Sequence, residues 1–557
     1  EQYALDTIEV ERNSPLKNKN IVFLGSSVTY GASSMGVSFA DYIGAMNDCN
    51  IIKEAVSGTT LVDEGVDSYI SRLNKIDTQN ADIFVCQLST NDATQKKPLG
   101  EINNSENIND FDTKTVAGAI EYIIAYAKDK WDCPVVFYTN PKYDSANYQA
   151  MVNLLLEIQK KWNIEIIDMW NDVDFNNIRK KIEDKDSAIN KYINKALDEI
   201  DPGVLKTIVL NLGFEAFLNG TKTIRKMREK YDCNIPWLIL MDPTSACNLH
   251  CTGCWAAEYG NRLNLTYEEM DSVVTQGKEL GVYLYMFTGG EPLVRKADLV
   301  KLCEKHNDCA FLAFTNGTLV DEAFCADLKR IGNLYLAISL EGFSEVNDLR
   351  RGTGVFAKVM HAMDLLKENG LVFGTSICYT SKNYKTVTSD EFIDMIVEKG
   401  CRYALYFHYM PVGNDASLEL LPNPEQRLYI KDRVREIRNM TSGKGIFTMD
   451  FQNDGEFVGG CIAGGRNYFH INANGDAEPC VFIHYSGANI RTHSMLEILK
   501  QPLFMAYHDN QPFNENHYRP CPMLENPEIL QRLVKETGAK STDLQKNKCQ
   551  KTRAKFW

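Results

Sequence analysis

Three cysteines in one short loop are the residues whose types and spacing most clearly suggest chemistry. Cys247, Cys251 and Cys254 form the pattern Cys-x3-Cys-x2-Cys. Thiolates are soft ligands that suit iron–sulfur clusters and zinc. A four-iron cluster held by three cysteines leaves one iron open for a substrate or cofactor, whereas a zinc ion would take His250 as its fourth ligand. The spacing favours the cluster with an open iron, and a chance grouping of cysteines stays open as a further alternative.

A second group of polar residues, near the N-terminus, could carry out acyl transfer. Ser27 lies in a turn of small residues, and Gly58 and Asn91 follow the next two β-rich segments. A serine with a backbone amide and a side-chain amide as oxyanion donors is the arrangement that acyl transfer needs. The chain has nine histidines and His250 is the first of them, so Ser27 has no evident base in its own region.

A third group consists of cysteines toward the C-terminus. Thirteen residues separate Cys461 from Gly475, and four separate Gly475 from Cys480. Cys521 and Cys549 follow with wide gaps. These four thiols could hold one further cluster, and the alternative is that they are buried structural cysteines.

The elements that must position the serine group follow an alternating strand and helix pattern. A chain of 557 residues is too long for one hydrophobic core and predicts several domains. Residues 1–178 predict an α/β domain with a parallel sheet and helices on both faces, in a flavodoxin-like three-layer α/β/α arrangement. Residues 179–235 predict a helical linker. The strands predicted for the first domain are Ile21–Gly25, Ile51–Gly58, Ala81–Ser89, Cys133–Pro141 and Ile164–Trp170.

The cysteine loop belongs to a longer run of the same pattern. Six strand–helix units in residues 236–430 predict a partial (β/α)6 barrel, and residues 431–557 predict a small cysteine-bearing extension. A polar or glycine motif follows every strand, where catalytic residues of such barrels lie. A zinc site explains the cysteines but not the Gly-Gly-Glu-Pro motif after the second strand. The six predicted strands are Trp237–Met241, Tyr283–Phe287, Ala310–Phe314, Leu334–Leu340, Phe373–Tyr379 and Tyr403–Met410.

With these motifs the sequence resembles the radical S-adenosylmethionine (SAM) superfamily over about residues 236–420. The resemblance implies that Cys247, Cys251 and Cys254 ligate three irons of a [4Fe–4S] cluster and that SAM binds the fourth. It implies reductive cleavage of SAM to a 5′-deoxyadenosyl radical, which abstracts hydrogen from a peptide or small-molecule substrate. Gly253 departs from the family, which usually has an aromatic residue there. The positions it assigns to the cofactor are Gly289, Gly290, Glu291, Pro292, Ser339, Arg351, Val412 and Gly413.

The two flanking regions resemble further families. The tail is similar to the SPASM or twitch extension, which implies one auxiliary [4Fe–4S] cluster on Cys461, Cys480 and Cys521, with Cys549 as a candidate fourth ligand. Residues 20–178 resemble the SGNH (GDSL-like) hydrolases, with Ser27 at the nucleophile position and Gly58 and Asn91 at the oxyanion positions. Because the family histidine is absent, we expect an inactive or merely binding domain. An ester hydrolase acting through Ser27 is the alternative function of the whole chain.

The composition of the chain restricts the classes of binding partner and the cellular compartment. The net charge of −14 argues against nucleic acid as a partner, and no apolar run reaches the roughly 20 residues that span a bilayer. The absence of a signal-like segment and the sparse cysteines predict a reducing cytoplasm, with an electron donor such as flavodoxin or ferredoxin. Five cysteines in apolar or helical surroundings are interpreted as buried small side chains: Cys86, Cys133, Cys303, Cys309 and Cys378.

Overall fold

The computed structural model describes residue 5 and residues 14–258, 263–412 and 416–543. The chain divides into two compact units, one up to Glu183 and one from Asp184. Each unit has its own hydrophobic core, and the two are described separately.

The first unit contains a parallel sheet of five strands in the order β2-β1-β3-β4-β5. All four neighbouring pairs are parallel, as the alternating pattern predicts. Each predicted strand overlaps an observed one, so the α/β class of this region is confirmed. The strands are β1 (Asn20–Gly25), β2 (Asn50–Ala55), β3 (Ile83–Gln87), β4 (Val135–Tyr138) and β5 (Glu165–Ile167).

Helices pack against both faces of this sheet because alternate strand side chains point in opposite directions. Val22 and Leu24 of β1 enter the larger core with α5 and α6, whereas Ile21 and Phe23 pack in a smaller core with Ala40 of α2. The helices are α1 (Ser27–Tyr30), α2 (Phe39–Asn47), α3 (Tyr69–Leu73), α4 (Thr90–Thr94), α5 (Val116–Trp131), α6 (Ala146–Trp162) and α7 (Val173–Glu183).

The second unit, which starts at Asp184, begins with helical segments. They are α8 (Ala188–Glu199), α9 (Pro202–Ile208), a π-helical segment (Val209–Gly220) and α10 (Thr221–Tyr231). Val204, Ala216 and Ile224 from three of them are buried in the main core of this unit. Among the described residues, no helix combines the length and the apolar character that crossing a membrane requires.

A nine-stranded sheet forms the centre of the second unit, in the order β12-β11-β10-β9-β8-β7-β6-β13-β14. Strands β6 to β12 pair in parallel with their sequence neighbours, and the first six of them are those predicted. The strands are β6 (Leu238–Met241), β7 (Leu284–Phe287), β8 (Ala310–Thr315), β9 (Leu334–Ser339), β10 (Phe373–Tyr379), β11 (Tyr403–His408), β12 (Phe447–Asp450), β13 (Tyr468–Ile471) and β14 (Ala477–Glu478).

The extension adds strands to this sheet, which the sequence pattern does not reveal. β13 pairs in parallel with β6, so a strand from the tail lies beside the strand that precedes the cysteine loop. β14 continues antiparallel to β13, and β12 extends the other edge. The last short pair is β15 (Tyr485–Ser486) with β16 (Lys540–Ser541).

Most helices that connect these strands begin at side-chain caps. Thr266 and Asn423 form capping boxes at α11 and α17, and Asp321 and Ser389 cap α13 and α16. The helices are α11 (Tyr267–Glu279), α12 (Lys296–Lys305), α13 (Glu322–Ile331), α14 (Ser344–Arg351), α15 (Val355–Glu368), α16 (Asp390–Glu398), α17 (Pro424–Ile437), α18 (Met495–Leu499), α19 (Pro502–Asn510) and α20 (Pro527–Thr537).

Candidate functional site

The carboxyl ends of β6 to β11 surround a cavity of about 200 Å³ in the second unit. Because parallel strands end at the same edge, the motifs that follow them converge there. The predicted residues that line the cavity are Cys247, Cys251, Cys254, Gly289, Gly290, Glu291, Ser339 and Arg351. The structure thus brings together most of the site that the strand-end motifs predict.

The backbone of the Gly289–Glu291 motif forms hydrogen bonds with the segment that leads into the cysteine loop. The Gly290 N–H donates to the Thr244 carbonyl at 2.9 Å, and the Glu291 N–H donates to the Ala246 carbonyl at 2.7 Å. Gly289 has φ +102°, and a Cβ there would lie 2.5 Å from the Thr244 oxygen. Glycine is therefore required because two loops touch, independently of any ligand.

Glu291 ties the second strand end to the third. Its buried carboxylate accepts hydrogen bonds from the Thr315 hydroxyl at 2.6 Å, the Asn316 N–H at 2.7 Å and the Leu293 N–H at 3.0 Å. Burial raises the pKa of Glu291, and these donors act in the opposite direction. Asn316 in turn donates from its side chain to Asn248 in the cysteine loop. Glu291 is thus a structural organiser of the loop.

Glu341, Arg350 and Arg351 form a buried group of ion pairs beside the cysteine loop. Glu341 lies between Arg350, whose Nη1 is 2.6 Å away, and Arg351, which binds it with two nitrogens. Burial would raise the pKa of Glu341, but the two guanidinium groups hold it below its usual value. In the cysteine loop, the Thr252 N–H donates to the Arg350 carbonyl at 2.9 Å, and the Arg350 Nε donates to the Thr252 carbonyl at 3.2 Å. Sequence reasoning identified Arg351 but not Glu341 and Arg350.

The donor set fits a soft, anionic centre. Burial raises the pKa of Cys247 to about 11, and it raises that of Cys251, which Arg351 lowers in part. Two guanidinium groups beside the thiols would compensate the charge of metal-bound thiolates. Within the described ranges, no group of three or more His, Cys, Asp or Glu side chains could hold a single metal ion. His250, the proposed fourth zinc ligand, is exposed.

Other positions near the cavity differ from expectation. Cys378 of β10, interpreted as a buried small side chain, instead lines the cavity. Val412 is buried two residues after the cavity residue Met410, and Gly413 lies outside the described residues. Pro292 is buried at the start of the short helix after Glu291. The other four cysteines interpreted as buried, Cys86, Cys133, Cys303 and Cys309, are buried.

Position 253 favours glycine because of its backbone conformation and the closeness of a tyrosine ring. Its φ is +66°, and a Cβ would lie 2.9 Å from the hydroxyl of Tyr409 and 3.0 Å from its ring. Tyr409 follows the sixth strand and lines the cavity. An aromatic ring therefore lies against the cysteine loop, supplied by another strand end.

The C-terminal cysteines Cys461, Cys480 and Cys521 form a second group, in which Cys480 is buried. Cys461, Cys480 and Cys521 interact electrostatically with one another, and burial raises the pKa of Cys461 to about 11 and of Cys480 to about 12. Cys549 lies outside the described residues. Of these thiols, Cys480 and Cys461 pack in one hydrophobic cluster.

A buried acid–imidazole cluster links the two cysteine regions. His470 of β13 lies 3.0 Å from Asp242, which follows β6, and 2.8 Å from Glu478 of β14. Burial would lower the pKa of His470, but the two carboxylates raise it to about 10. His484 also contacts Glu478 at 3.3 Å. These histidines are engaged by carboxylates, and sequence spacing did not predict the cluster.

In the first unit the three residues of the candidate serine site follow three neighbouring strands. Ser27 begins α1 directly after β1, and Gly58 and Asn91 follow the flanking strands β2 and β3. The Asn91 side chain donates to the Thr59 carbonyl at 2.8 Å, which places it against the Gly58 turn. The sequence has no histidine before His250. The three residues share one sheet edge, as predicted.

Gln87 and Asp92, at the same edge of the sheet, accept hydrogen bonds from backbone N–H groups of the turns. Gln87 accepts from the Ser26 N–H and the Thr29 hydroxyl, both at 2.9 Å. The buried Asp92 carboxylate accepts from the N–H groups of Leu61 and Val62, and burial raises its pKa. These carboxylate and amide groups are occupied in shaping the turns.

Two family models match the chain. Residues 241–396 match the radical SAM superfamily, and residues 461–523 match SPASM, an iron–sulfur cluster-binding domain. The chain therefore contains a radical SAM domain followed by a SPASM domain. This pair implies a [4Fe–4S] cluster with SAM in the first domain and auxiliary iron–sulfur binding in the second, and it identifies the chain as an enzyme.

Similar proteins act on different kinds of substrate according to their names. Fe-coproporphyrin III synthase of Methanosarcina barkeri is 27% identical over 40% of this chain and 57% of that protein. PqqA peptide cyclase of Granulibacter bethesdensis is 27% identical over 44% of this chain and 67% of that protein. The chain thus spans little more than half the length of the first of these relatives. The structure of Streptococcus suis SuiB bound to precursor peptide SuiA aligns with a TM-score of 0.43 at 18% identity, over 52% of this chain and 70% of that one.

Proposed function

We propose that this protein is a radical SAM enzyme that cleaves SAM reductively at its Cys247–Cys254 loop and abstracts hydrogen from a peptide or small-molecule substrate. The observation that carries the proposal is the convergence of three thiols, the Gly-Gly-Glu motif and Arg351 on one cavity. When bound there, a reduced [4Fe–4S] cluster with SAM supplies the 5′-deoxyadenosyl radical.

The chain's own residues would bind and orient these groups. Cys247, Cys251 and Cys254 would ligate three irons, and the cavity would receive SAM between the Gly289–Pro292 motif and Ser339. Arg351, held by Glu341, would keep a positive charge beside the cofactor. Val412 and Gly413 would lie near the adenine. A partial (β/α)6 barrel, formed by β6 to β11, would shield the radical from water.

The tail would hold one auxiliary [4Fe–4S] cluster on Cys461, Cys480 and Cys521, with Cys549 as a candidate fourth ligand. The domains would be residues 1–178, 179–235, 236–430 and 431–557. An external donor such as flavodoxin or ferredoxin would supply the electron. All cysteines that the structure describes are free thiols, which supports a reducing cytoplasm as the compartment.

Anaerobic reconstitution tests the proposal. The wild-type protein should bind about eight irons per chain, four for each cluster. With dithionite it should convert SAM to 5′-deoxyadenosine, detected by mass spectrometry, and Cys247→Ala should remove this product. Equal product from both proteins, or none from a fully loaded wild type, would reject the function.

The substrate class can be tested by stimulation of the same product. Relatives named for a peptide and for a porphyrin support both classes. Coproporphyrin III with iron and synthetic peptides encoded beside this chain's gene should be compared at equal concentration. Stimulation by a peptide alone would select the peptide class, and stimulation by the porphyrin alone would select the small-molecule class.

We further propose that the first unit is an SGNH-like, flavodoxin-like three-layer domain that binds a ligand without hydrolysing it. The strand order 2-1-3-4-5 and the shared edge of Ser27, Gly58 and Asn91 support the resemblance. The absence of an imidazole before His250 supports the lack of hydrolysis. Aerobic cleavage of p-nitrophenyl acetate should be equal in wild type and Ser27→Ala. A rate that Ser27→Ala abolishes would instead establish the ester hydrolase.

A further inference from the structure

Two tyrosines, Tyr468 and Tyr507, pack in one cluster with the thiols of Cys461 and Cys480. The Tyr468 hydroxyl donates to the Cys480 Sγ at 2.8 Å. The Tyr507 ring is fully buried, and burial, with the nearby thiols, raises the pKa of its hydroxyl. The site therefore presents two phenols as well as three described thiols.

The Tyr507 ring is fixed in this position by close packing. A Cβ at Gly464, whose φ is +63°, would lie 2.5 Å from the Tyr507 ring, so the ring lies directly on that glycine. The ring of Phe513 meets it edge-on at 5.0 Å. Rotation of the phenol away from the thiols would require both neighbours to move.

The Tyr507 hydroxyl has no hydrogen-bond partner among the residues that the structure describes. A buried hydroxyl without an acceptor is strongly disfavoured, so such groups are nearly always paired in functional proteins. Acceptors in the same region are the sulfur atoms of Cys461 and Cys480, which pack in one cluster with Tyr507, and the Gln511 side-chain oxygen, which also has no partner among the described residues.

We propose that the Tyr468 and Tyr507 hydroxyls donate hydrogen bonds to sulfur atoms of the auxiliary [4Fe–4S] cluster and raise its reduction potential. The inference rests on the proposed function, in which Cys461, Cys480 and Cys521 hold that cluster. One-electron reduction makes the cluster more negative, and hydrogen-bond donors stabilise the more negative form. The auxiliary cluster is thereby suited to accept an electron.

The test is a redox titration monitored by electron paramagnetic resonance on the reconstituted full chain. Tyr507→Phe and Tyr468→Phe each remove one hydroxyl and keep the ring. Each change should lower the potential of the auxiliary cluster, and the double variant should lower it further. The potential of the cluster on Cys247, Cys251 and Cys254 should stay unchanged in the same samples. Unchanged auxiliary potentials in all three variants would overturn the inference.

A matched variant separates this effect from loosened packing. Tyr406→Phe removes a buried hydroxyl that donates to the Val387 carbonyl in the barrel. It should leave both potentials unchanged, and an equal drop in Tyr406→Phe would also overturn the inference. Iron content distinguishes the two levels of failure. A wild type that assembles only the first cluster contradicts the proposed auxiliary site, whereas two intact clusters with unmoved potentials contradict only the role of the tyrosines.

Discussion

The cysteine loop of the second unit and the serine turn of the first occupy equivalent places, each at the carboxyl edge of a parallel sheet. At the cysteine loop, side chains from several strand ends bind one another: Glu291 joins two of them, and Glu341 holds two arginines. At the serine turn, Gln87, Asn91 and Asp92 bind backbone groups. A strand-end motif therefore predicts where a side chain lies. The chemistry of that side chain depends on whether a partner of suitable acidity or charge lies beside it.

The largest expected difference is in SAM cleavage. Cys251→Ser removes a proposed ligand of the cluster. It should therefore lower 5′-deoxyadenosine formation by more than about 100-fold, which is the upper effect of mutating a residue that only supports a metal ligand. Ser27→Ala should leave it unchanged. Product formation by both variants is measured after anaerobic reconstitution. A loss of activity in Ser27→Ala with full iron content would show that the comparison is wrong.

Removing the buried anion of the cysteine site should destabilise the second unit. Glu341→Gln leaves Arg350 and Arg351 buried without their carboxylate, which we expect to cost about 3–5 kcal/mol. The control is Glu304→Gln, which breaks an exposed pair with Arg330 and should change stability by about 0–1 kcal/mol. Denaturant unfolding of both variants checks this. Equal losses would mean that Glu341 acts only as a surface group.

The acid–imidazole cluster predicts a pH dependence of the stability of the second unit. The folded-state pKa of His470 is raised to about 10, so its contribution is complete below its unfolded value of 6.5 and is lost as the pH rises toward 10. The slope should reach about 1.4 kcal/mol per pH unit. The pKa of Glu478 is lowered to about 2, so its contribution is lost as the pH falls below 4.5.

Unfolding of the second unit between pH 6 and 10 measures this slope, and His470→Gln should flatten it. Thr448→Val serves as a control, since it removes a buried hydroxyl that donates to the Val434 carbonyl and no titrating group. A slope that persists in His470→Gln would assign the pH dependence to other groups.

The smallest effect compares two glycines with positive φ. Gly58→Ala places its Cβ in open space and should cost about 1 kcal/mol from backbone strain alone. Gly253→Ala adds a close approach to Tyr409 and should cost more. Thermal unfolding of the two variants compares the costs. A smaller loss for Gly253→Ala would mean that the cysteine loop moves freely away from Tyr409.

Much of the fold and the cysteine site could be predicted because the information is local. The predicted strands of both sheets reflect short apolar runs, and the Cys247–Cys254 spacing lies within one loop. The reason for the glycines was predicted only in part. The resemblance assigned Gly289 and Gly290 to the cofactor, and the structure adds that a Cβ at either position would meet the backbone of the segment that leads into the cysteine loop. Contacts between segments distant in sequence leave no periodic pattern, so β13 beside β6 was not predicted.

The amino-acid sequence by itself determined the parallel α/β character of both units, the spacing of the three thiols of the loop and the absence of an imidazole before His250. These follow from residue type and local spacing. Only the tertiary structure decided that Glu341 and Arg350 flank the loop, that Cys378 enters the cavity, and that Tyr507 lies buried at the C-terminal thiols. The physical reason is that charge pairing and burial depend on which distant segments pack together, and only the folded chain brings those segments into contact.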